Sequence, residues 1–472
     1  MARLGRRLRS NSIAIRNLPQ VVSVLKGVLR KRGTLSGGSR AAQRIVGIGN
    51  DERILLKVAR TYLSRLEREF CLPEPECWGC PVRYWCSTGQ RRMQPDVRVA
   101  NGPKSVGFLD LFCGPGGMSL GLERAGMKLV LGVDSDHDAI DSFRANRPRL
   151  DESVLVEGNV SQMVCQGFFR KFRGVDLVVG GPPCQTFSIV GLRTKGLRHA
   201  QRQIRRDPRT WLPLAFARAA IQAEPRVVLM ENVPHFLSAL NGEVARGFSS
   251  LFRRHGYSMM RFVVQADHFG VAQYRRRLLF LAIEGSHVGS PAKARRILQS
   301  VMTDLSSVQR PKRGFSEAVA GLPRLRPGAG FECLRTKGRG LVWNHVARPH
   351  NRRDLAIYRA MKPGETAGQF EARKPGVVPY DITSFPDKYR KLKRDSPSPT
   401  IPSHLSRDSN SFIHPLEDRG LTVREAARLQ SFPDDYVFVG TRSRQFSQVG
   451  NAFPPLVARE VADSILRNLD FP

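Results

Sequence analysis

Short apolar runs alternate with segments of helical periodicity from residue 105 onward. Each run has the continuous apolar character of a strand that is buried on both faces, which is typical of parallel sheets. The predicted strands are Val106–Phe112, Leu129–Asp134, Val175–Gly180, Val227–Glu231 and Leu278–Ile283. Strands that alternate with helices predict an α/β fold, in which an open sheet carries helices on both faces.

The segments outside residues 105–283 have other patterns. Residues 1–50 are rich in Arg, Gly and Ser and predict a mobile basic arm. Residues 51–100 start with apolar residues at helical spacing, followed by a cysteine cluster and a polar linker. Residues 284–410 are rich in Arg, Lys, Gly and Pro without strong periodicity, and predict a separate, loop-rich basic domain. Residues 411–472 regain helical periodicity and are expected to pack back on the α/β domain.

The charge of the chain points to a polyanionic partner. The sequence has 76 Lys and Arg against 41 Asp and Glu, a net charge of +35. Such an excess favours nucleic acid or an anionic membrane surface over charge that serves solubility alone. No apolar run approaches the roughly 18 residues of a membrane helix. Eight cysteines in a chain of this length do not form a disulfide framework, so we expect a reducing compartment.

A glycine-rich turn follows the first predicted strand and opens a helix, in Asp110-Leu-Phe-Cys-Gly-Pro-Gly-Gly117. Glycines at this place allow a tight turn and the close approach of a ligand to the backbone. Asp134 ends the second strand, where a carboxylate can accept both ribose hydroxyls of a nucleoside cofactor. These residues suit dinucleotide enzymes as well as enzymes of S-adenosylmethionine (SAM), and a purely structural turn is the remaining alternative.

Two further strand ends carry candidate catalytic groups. Cys184 lies in Gly180-Gly-Pro-Pro-Cys-Gln, where two prolines stiffen the loop and present the thiol. A cysteine is more often a small core residue, but the two prolines favour a nucleophile here. Glu231 follows Val227-Val-Leu-Met and is expected near Cys184 at the carboxyl edge of the sheet. A helix cap or a solvated carboxylate is the alternative for Glu231.

At this point the motifs resemble the ordered motifs of cytosine-5 DNA methyltransferases. The resemblance extends over about residues 105–469. It rests on Asp110–Gly117, Cys184 with its flanks, Glu231-Asn-Val, Asp207–Leu212, Gly270–Arg277, Leu421–Pro433 and Gln448–Ala452. It implies a Rossmann-like, SAM-dependent catalytic domain over residues 105–283 and a smaller target recognition domain over residues 284–410. Residues 411–472 would return to the catalytic domain.

The resemblance also implies a mechanism and a set of site residues. A thiolate of Cys184 would add to C6 of a cytosine flipped out of the duplex, while Glu231 hydrogen-bonds or protonates N3. Arg275 and Arg277 would contact the target nucleotide and hold it in place. The implied cofactor contacts are Phe112, Gly114, Gly116, Asp134, Asn159, Leu212, Asn451 and Ala452.

Four positions, in three motifs, depart from the family pattern. Asn159 stands where Asp is usual; its carbonyl oxygen can still accept a hydrogen bond from the adenine amino group. His268 and Ala272 stand where Asp and Pro are common, and Arg276 occupies a position that is often Glu. Since none of these is the nucleophile or the acid, we expect activity to survive.

The resemblance implies double-stranded DNA as the partner. Residues 185–206 contain Arg193, Lys195, Arg198, Arg202, Arg205 and Arg206 and correspond to a loop that closes over DNA in the family. We expect a monomer on DNA in a prokaryotic cytoplasm, associated with the nucleoid, with a restriction endonuclease for the same site as a possible partner. The alternatives are a tRNA cytosine-5 methyltransferase and a catalytically silent DNA-binding relative.

Four cysteines cluster ahead of the α/β domain: Cys71, Cys77, Cys80 and Cys86. Four thiols so close together, in a protein that needs a free thiol, favour a metal centre over disulfides. The spacing can hold tetrahedral zinc. It also resembles the iron–sulfur loop of endonuclease-III-like glycosylases, with the first gap one residue shorter. We therefore expect a [4Fe-4S] cluster, with zinc as the alternative.

Overall fold

The structure is a computed structural model, which describes residues 105–183, 197–336, 340–383, 388–405 and 409–471. The predicted basic arm and cysteine segment lie outside these ranges. Apart from residues 145–149, the described residues belong to one compact unit, formed by residues 98–144 and 150–472.

Seven strands form one sheet, and two more form a separate hairpin. The strands of the sheet are β1 Gly107–Leu111, β2 Lys128–Asp134, β3 Leu155–Glu157, β4 Leu177–Gly180, β5 Val227–Asn232, β6 Tyr257–Gln265 and β7 Arg276–Glu284. Their order in the sheet is β3-β2-β1-β4-β5-β7-β6. The hairpin consists of β8 Gly330–Thr336 and β9 Gly340–Val346. The predicted α/β class is therefore confirmed.

Thirteen α-helices lie in the described residues. They are α1 Gly117–Arg124, α2 His137–Ala145, α3 Val160–Cys165, α4 Leu197–Arg206, α5 Leu212–Ala223, α6 Glu243–Arg254, α7 Pro291–Ser307, α8 Phe315–Ala318, α9 Arg352–Ala360, α10 Ala367–Arg373, α11 Val423–Leu429, α12 Arg442–Asn451 and α13 Pro455–Asn468. None of these helices is long and apolar enough to cross a membrane.

Apolar side chains cover both faces of the sheet. On one face, Phe108 of β1 and Leu177 of β4 pack in one core cluster with α1, α7 and α13. On the other, Leu109 of β1 and Val178 of β4 pack with α3, α5 and α6. Successive residues of the central strands thus enter opposite cores, which explains why these strands are continuous apolar runs in the sequence. The pairs β1–β2, β2–β3, β1–β4 and β4–β5 are parallel, so their carboxyl ends share one edge.

β7 corrects the expectation of a parallel strand over Leu278–Ile283. It runs antiparallel to β5, with Glu231 opposite Leu279, and antiparallel to β6. Because β7 is covered on both faces, it has the same apolar run as a parallel strand, and its sequence alone does not give its direction. β6, an edge strand whose middle is only partly buried, was not predicted from the sequence.

Residues 284–410 contain more regular structure than their sequence indicated. α7 buries Ala294, Leu298, Val301 and Leu305, which lie on one face of the helix, in the same core cluster as the sheet. A satellite cluster packs α9 and α10 around Tyr358. The boundary of a recognition domain at residue 284 stays a prediction, but the helix that follows it packs on the catalytic sheet.

Candidate active site

A cavity of about 290 Å³ lies at the carboxyl edge of the parallel strands. Most of the residues expected in the site line it: Phe112, Gly114, Asp134, Asn159, Leu212, Glu231, Arg275, Arg277, Asn451 and Ala452. Gly116 does not line the cavity; it is the N-cap of α1 and has a φ of 90°. Cys184 lies outside the described residues, but Pro183, which precedes it, lines the cavity. The structure thus gathers residues from distant motifs around one space.

The glycine-rich turn after β1 places backbone at the floor of the cavity. Gly114 has a φ of 55°, a conformation that favours glycine. Its amide donates a 2.8 Å hydrogen bond to Asp134 Oδ2 at the end of β2. Gly117 opens α1, and a Cβ there would lie 2.5 Å from the Phe453 carbonyl oxygen. The turn therefore sets the spacing between β2, α1 and the chain before α13.

Asp134 keeps its carboxylate between two backbone donors. The Asp136 amide donates to Oδ1 at 2.8 Å, while Gly114 occupies Oδ2. Burial raises the pKa of the Asp134 carboxyl, and these amide hydrogen bonds oppose the rise. Each carboxylate oxygen can accept more than one hydrogen bond, so both remain able to receive a ligand hydroxyl.

Asn159 caps the N-terminus of α3 at the cavity wall. Its Oδ1 accepts from the amides of Ser161 at 2.9 Å and Gln162 at 3.4 Å. The amide oxygen that the sequence analysis assigned to adenine is therefore engaged with the helix. Its NH₂ group remains, and an NH₂ group is a donor only.

Glu231 lies at the end of β5 beside the loop that leads to Cys184. A Cβ on Gly181 would lie 3.0 Å from Glu231 Oε2, so the loop approaches the carboxylate closely at a glycine. Asn232 is fully buried and donates from Nδ2 to the Pro182 carbonyl at 3.3 Å. Parallel pairing of β4 with β5 brings these residues together. These contacts hold Glu231 next to the loop before Cys184.

Arg277 lies beside the acid, whereas the guanidinium of Arg275 binds backbone carbonyls. Arg277 Nε lies 2.6 Å from Glu231 Oε1, and both side chains are 11% exposed. The two side chains form an ion pair. Arg275 is 1% exposed and donates to the carbonyls of Ile401, Gly450 and Ala452. The expected contact of both arginines with a nucleotide stays a prediction.

Several residues of the site were not predicted from the sequence. Asn232 and Gln448 stand inside identified motifs without an assigned role, and Pro182 was expected only to stiffen its loop, not to accept from Asn232. Ser135, Asp136, Ser447 and Phe453 also line the cavity and adjoin predicted residues. Adjacency to a motif was the available signal, although it does not indicate which neighbours face inward.

The basic segment before α5 is only partly described. Arg193 and Lys195, and the side chain of Arg198, lie outside the described residues. Arg205 on α4 makes an ion pair with Glu243 of α6, while Arg202 and Arg206 are exposed. Phosphate contact by this segment stays a prediction.

The cysteines Cys71, Cys77, Cys80 and Cys86 also lie outside the described residues, so the expected iron–sulfur or zinc centre stays a prediction. Where the structure describes the chain, no group of three or more His, Cys, Asp or Glu side chains is placed to hold a metal ion.

Comparison with known proteins identifies relatives over most of the chain. The sequence model of the C-5 cytosine-specific DNA methylase family matches residues 106–467. The type II methyltransferase M1.HphI of Haemophilus parahaemolyticus is 32% identical over 367 residues, which cover 77% of this chain and 87% of that protein. The type II methyltransferase M.Eco47II of Escherichia coli is 31% identical over 382 residues, which cover 79% and 82%.

A solved structure from E. coli has the same fold. It is described as a DNA modification methyltransferase encoded within a prophage, and is 23% identical with a TM-score of 0.57. The likeness covers 77% of this chain and 99% of the other.

Proposed function

Because the chain belongs to the C-5 cytosine-specific DNA methylase family and is therefore a DNA cytosine-5 methyltransferase, we propose that it methylates a flipped cytosine with SAM through a covalent Cys184 adduct. One observation carries the proposal. Glu231, the loop that leads to Cys184, and the Gly114–Asp134 turn all line one cavity at the carboxyl edge of the sheet.

The residues of the cavity fit SAM. Asp134 has two carboxylate oxygens that are able to accept ribose hydroxyls, and the glycine-rich turn lines the cavity from Phe112 to Pro115, where a ligand can approach it. Asn159, Leu212, Asn451 and Ala452 would complete the contacts. A bound SAM would supply the electrophilic methyl group.

The protein's own groups would prepare the base. The Cys184 thiolate adds to C6, which forms a C6–S bond and makes C5 nucleophilic. The added negative charge develops towards N3, where Glu231 donates or shares a proton. Once C5 is methylated, a base removes its proton, the C5–H electrons form the C5–C6 double bond and the C6–S electrons return to Cys184. The proton on N3 returns to Glu231, which restores the neutral aromatic ring. Arg277 would orient Glu231 and contact the nucleotide.

The proposed DNA substrate and biological role are inferred from the names of the relatives. M1.HphI and M.Eco47II are type II methyltransferases, which supports the modification half of a restriction system. We further propose that the enzyme acts as a monomer on DNA in a prokaryotic cytoplasm, at the nucleoid, and that an endonuclease shares its site. The four N-terminal cysteines would hold an iron–sulfur cluster. A brown protein after anaerobic purification would support the cluster, and a colourless zinc-containing one would refute it.

Transfer of labelled methyl groups from SAM to duplex DNA and to tRNA tests the proposal. We expect labelled DNA, unlabelled tRNA, and no transfer by Cys184→Ser, whose DNA binding persists. Bisulfite sequencing of DNA from cells that express the protein gives the target sequence. Full activity of Cys184→Ser would refute the covalent mechanism, and labelled tRNA alone would establish the alternative substrate.

A further inference from the structure

We propose that Arg275 is a positioning residue that fixes the Gly450–Ala452 wall of the cavity and thereby sets the affinity for the cofactor. This role differs from the nucleotide contact that the family motif implies. The inference rests on the proposed use of SAM, because the wall is assigned to that ligand.

The hydrogen bonds of Arg275 carry the inference. Its Nη2 donates to the Gly450 carbonyl at 2.9 Å and to the Ala452 carbonyl at 3.1 Å, and its Nη1 donates to the Ile401 carbonyl at 3.2 Å. Gly450 and Ala452 flank Asn451, and all three line the cavity. The guanidinium therefore holds the backbone on both sides of a residue that is expected to contact the cofactor.

The wall lies at the C-terminal end of a helix, where a cationic donor is favourable. α12 ends at Asn451, so its last carbonyls have no partner within the helix. Buried carbonyls without a donor destabilise a fold, and a positive charge at a helix C-terminus is favourable. Arg275 provides hydrogen-bond donors for these carbonyls and a positive charge at the helix end. Its planar guanidinium presents several donors in a fixed arrangement.

A buried amide pair strengthens the same wall. Gln430 donates from Nε2 to the Val449 carbonyl at 2.8 Å and to the Ala452 carbonyl at 3.3 Å. Its Oε1 accepts from Gln273 at 3.1 Å, and Gln273 in turn accepts from the Ile401 amide at 2.9 Å. Side chains from two separate motifs, Gly270–Arg277 and Leu421–Pro433, thus contact one stretch of backbone.

The two arginines of the motif contact different parts of the cavity lining. Arg277 makes an ion pair with Glu231, on the side where the base would react. Arg275, two residues earlier, is directed to the end of α12 instead. Substitution of the two should therefore affect different ligands.

Calorimetry with S-adenosylhomocysteine and anisotropy with duplex DNA, both on the full chain, separate these roles. Arg275→Met should weaken S-adenosylhomocysteine binding by roughly tenfold or more and leave DNA affinity within about twofold. Arg275→Lys should restore part of the loss. KM for SAM should rise, whereas single-turnover methylation at saturating SAM should change little. The control is Arg261→Met, which removes the same charge from an exposed arginine on the edge strand β6 and should change neither affinity.

Three results distinguish the alternatives. Loss of DNA affinity or of base flipping, measured with 2-aminopurine, at unchanged cofactor affinity would overturn the inference in favour of a nucleotide contact. Equal loss of both affinities would overturn it in favour of a general structural role. If Arg275→Met does not fold, Gln430→Met, which removes the hydrogen bonds to the Ala452 carbonyl of the wall and to the adjoining Val449 carbonyl but no charge, should give the same selective loss on a smaller scale. Its failure to do so would count against the inference. A wild-type protein that binds no S-adenosylhomocysteine would instead refute the proposed function.

Discussion

Arg277 Nε and Glu231 Oε1 lie 2.6 Å apart at the point where β7 begins and β5 ends. The contact depends on the antiparallel pairing of the two strands, in which Asn232 is opposite Leu278. The candidate acid thus has a cationic neighbour supplied by the next strand of the sheet.

Replacement of the acid should separate binding from chemistry. Glu231→Gln keeps the size of the side chain but removes its proton-donating group, so kcat at saturating DNA and SAM should fall by about 100-fold or more. Arg277→Met should also lower kcat. Arg276→Met, an exposed arginine next to it, should leave kcat near the wild-type value. Wild-type kcat in Glu231→Gln would show that N3 needs no acid from this residue.

The sequence predicted those parts of the site that depend on local pattern. The strand ends at Asp134 and Glu231 followed from apolar runs, and the turn at Gly114 followed from its glycines. Parallel strands share an edge, so the gathering of these residues could be expected from the order of strands and turns alone.

Other features depend on contacts that the sequence does not encode locally. The three carbonyl partners of Arg275 lie 126 to 177 residues further along the chain. Motif spacing identified the residue but not the direction of its guanidinium. By contrast, the helical spacing of Ala294, Leu298, Val301 and Leu305 was present in the sequence, and the surrounding basic residues obscured it.

Close packing of α1 against α13 predicts a steric effect at Gly121. A Cβ there would lie 2.5 Å from the Pro455 carbonyl oxygen, which is backbone and cannot move cheaply. Alanine is normally the better helix former, but the clash should dominate and cost about 1–3 kcal/mol. Thermal unfolding should show a lower Tm for Gly121→Ala. Gly368→Ala is the matched control, because a Cβ at residue 368 would meet nothing within 4 Å, and it should leave Tm unchanged or higher.

Two buried histidines predict that stability falls in mild acid. Burial lowers the pKa of His345 and of His414 below the ordinary 6.5. Both lie near Glu425, Glu417 and Arg419, and His345 accepts from Thr422 and donates to the Pro323 carbonyl as a neutral ring. Because the folded-state pKa is the lower one, their contribution is complete above the unfolded pKa and declines as pH falls below it.

Unfolding by urea between about pH 7.5 and about pH 5 measures this decline. Stability should decrease over this interval in the wild type, and less steeply in His414→Gln. Burial would raise the pKa of Glu425, but the Arg419 guanidinium lowers it to about 2, so Glu425 should contribute little to the change until lower pH. An equal slope in both proteins would show that His414 is not the titrating group.

At position 159, we predict that aspartate, the usual residue of the family, binds the cofactor more tightly than asparagine. Its Oδ1 already accepts from Ser161 and Gln162, so the group left for adenine is a donor. Asn159→Asp keeps the helix cap and replaces that donor with a second acceptor for the adenine amino group. The affinity for S-adenosylhomocysteine should therefore rise, by about threefold to tenfold. Asn351→Asp, at the N-cap of α9, adds the same charge away from the cavity and should leave that affinity unchanged. Weaker binding by Asn159→Asp would mean that adenine is recognised through the NH₂ group of Asn159. Asparagine would then suit this cofactor site better than the family's usual aspartate.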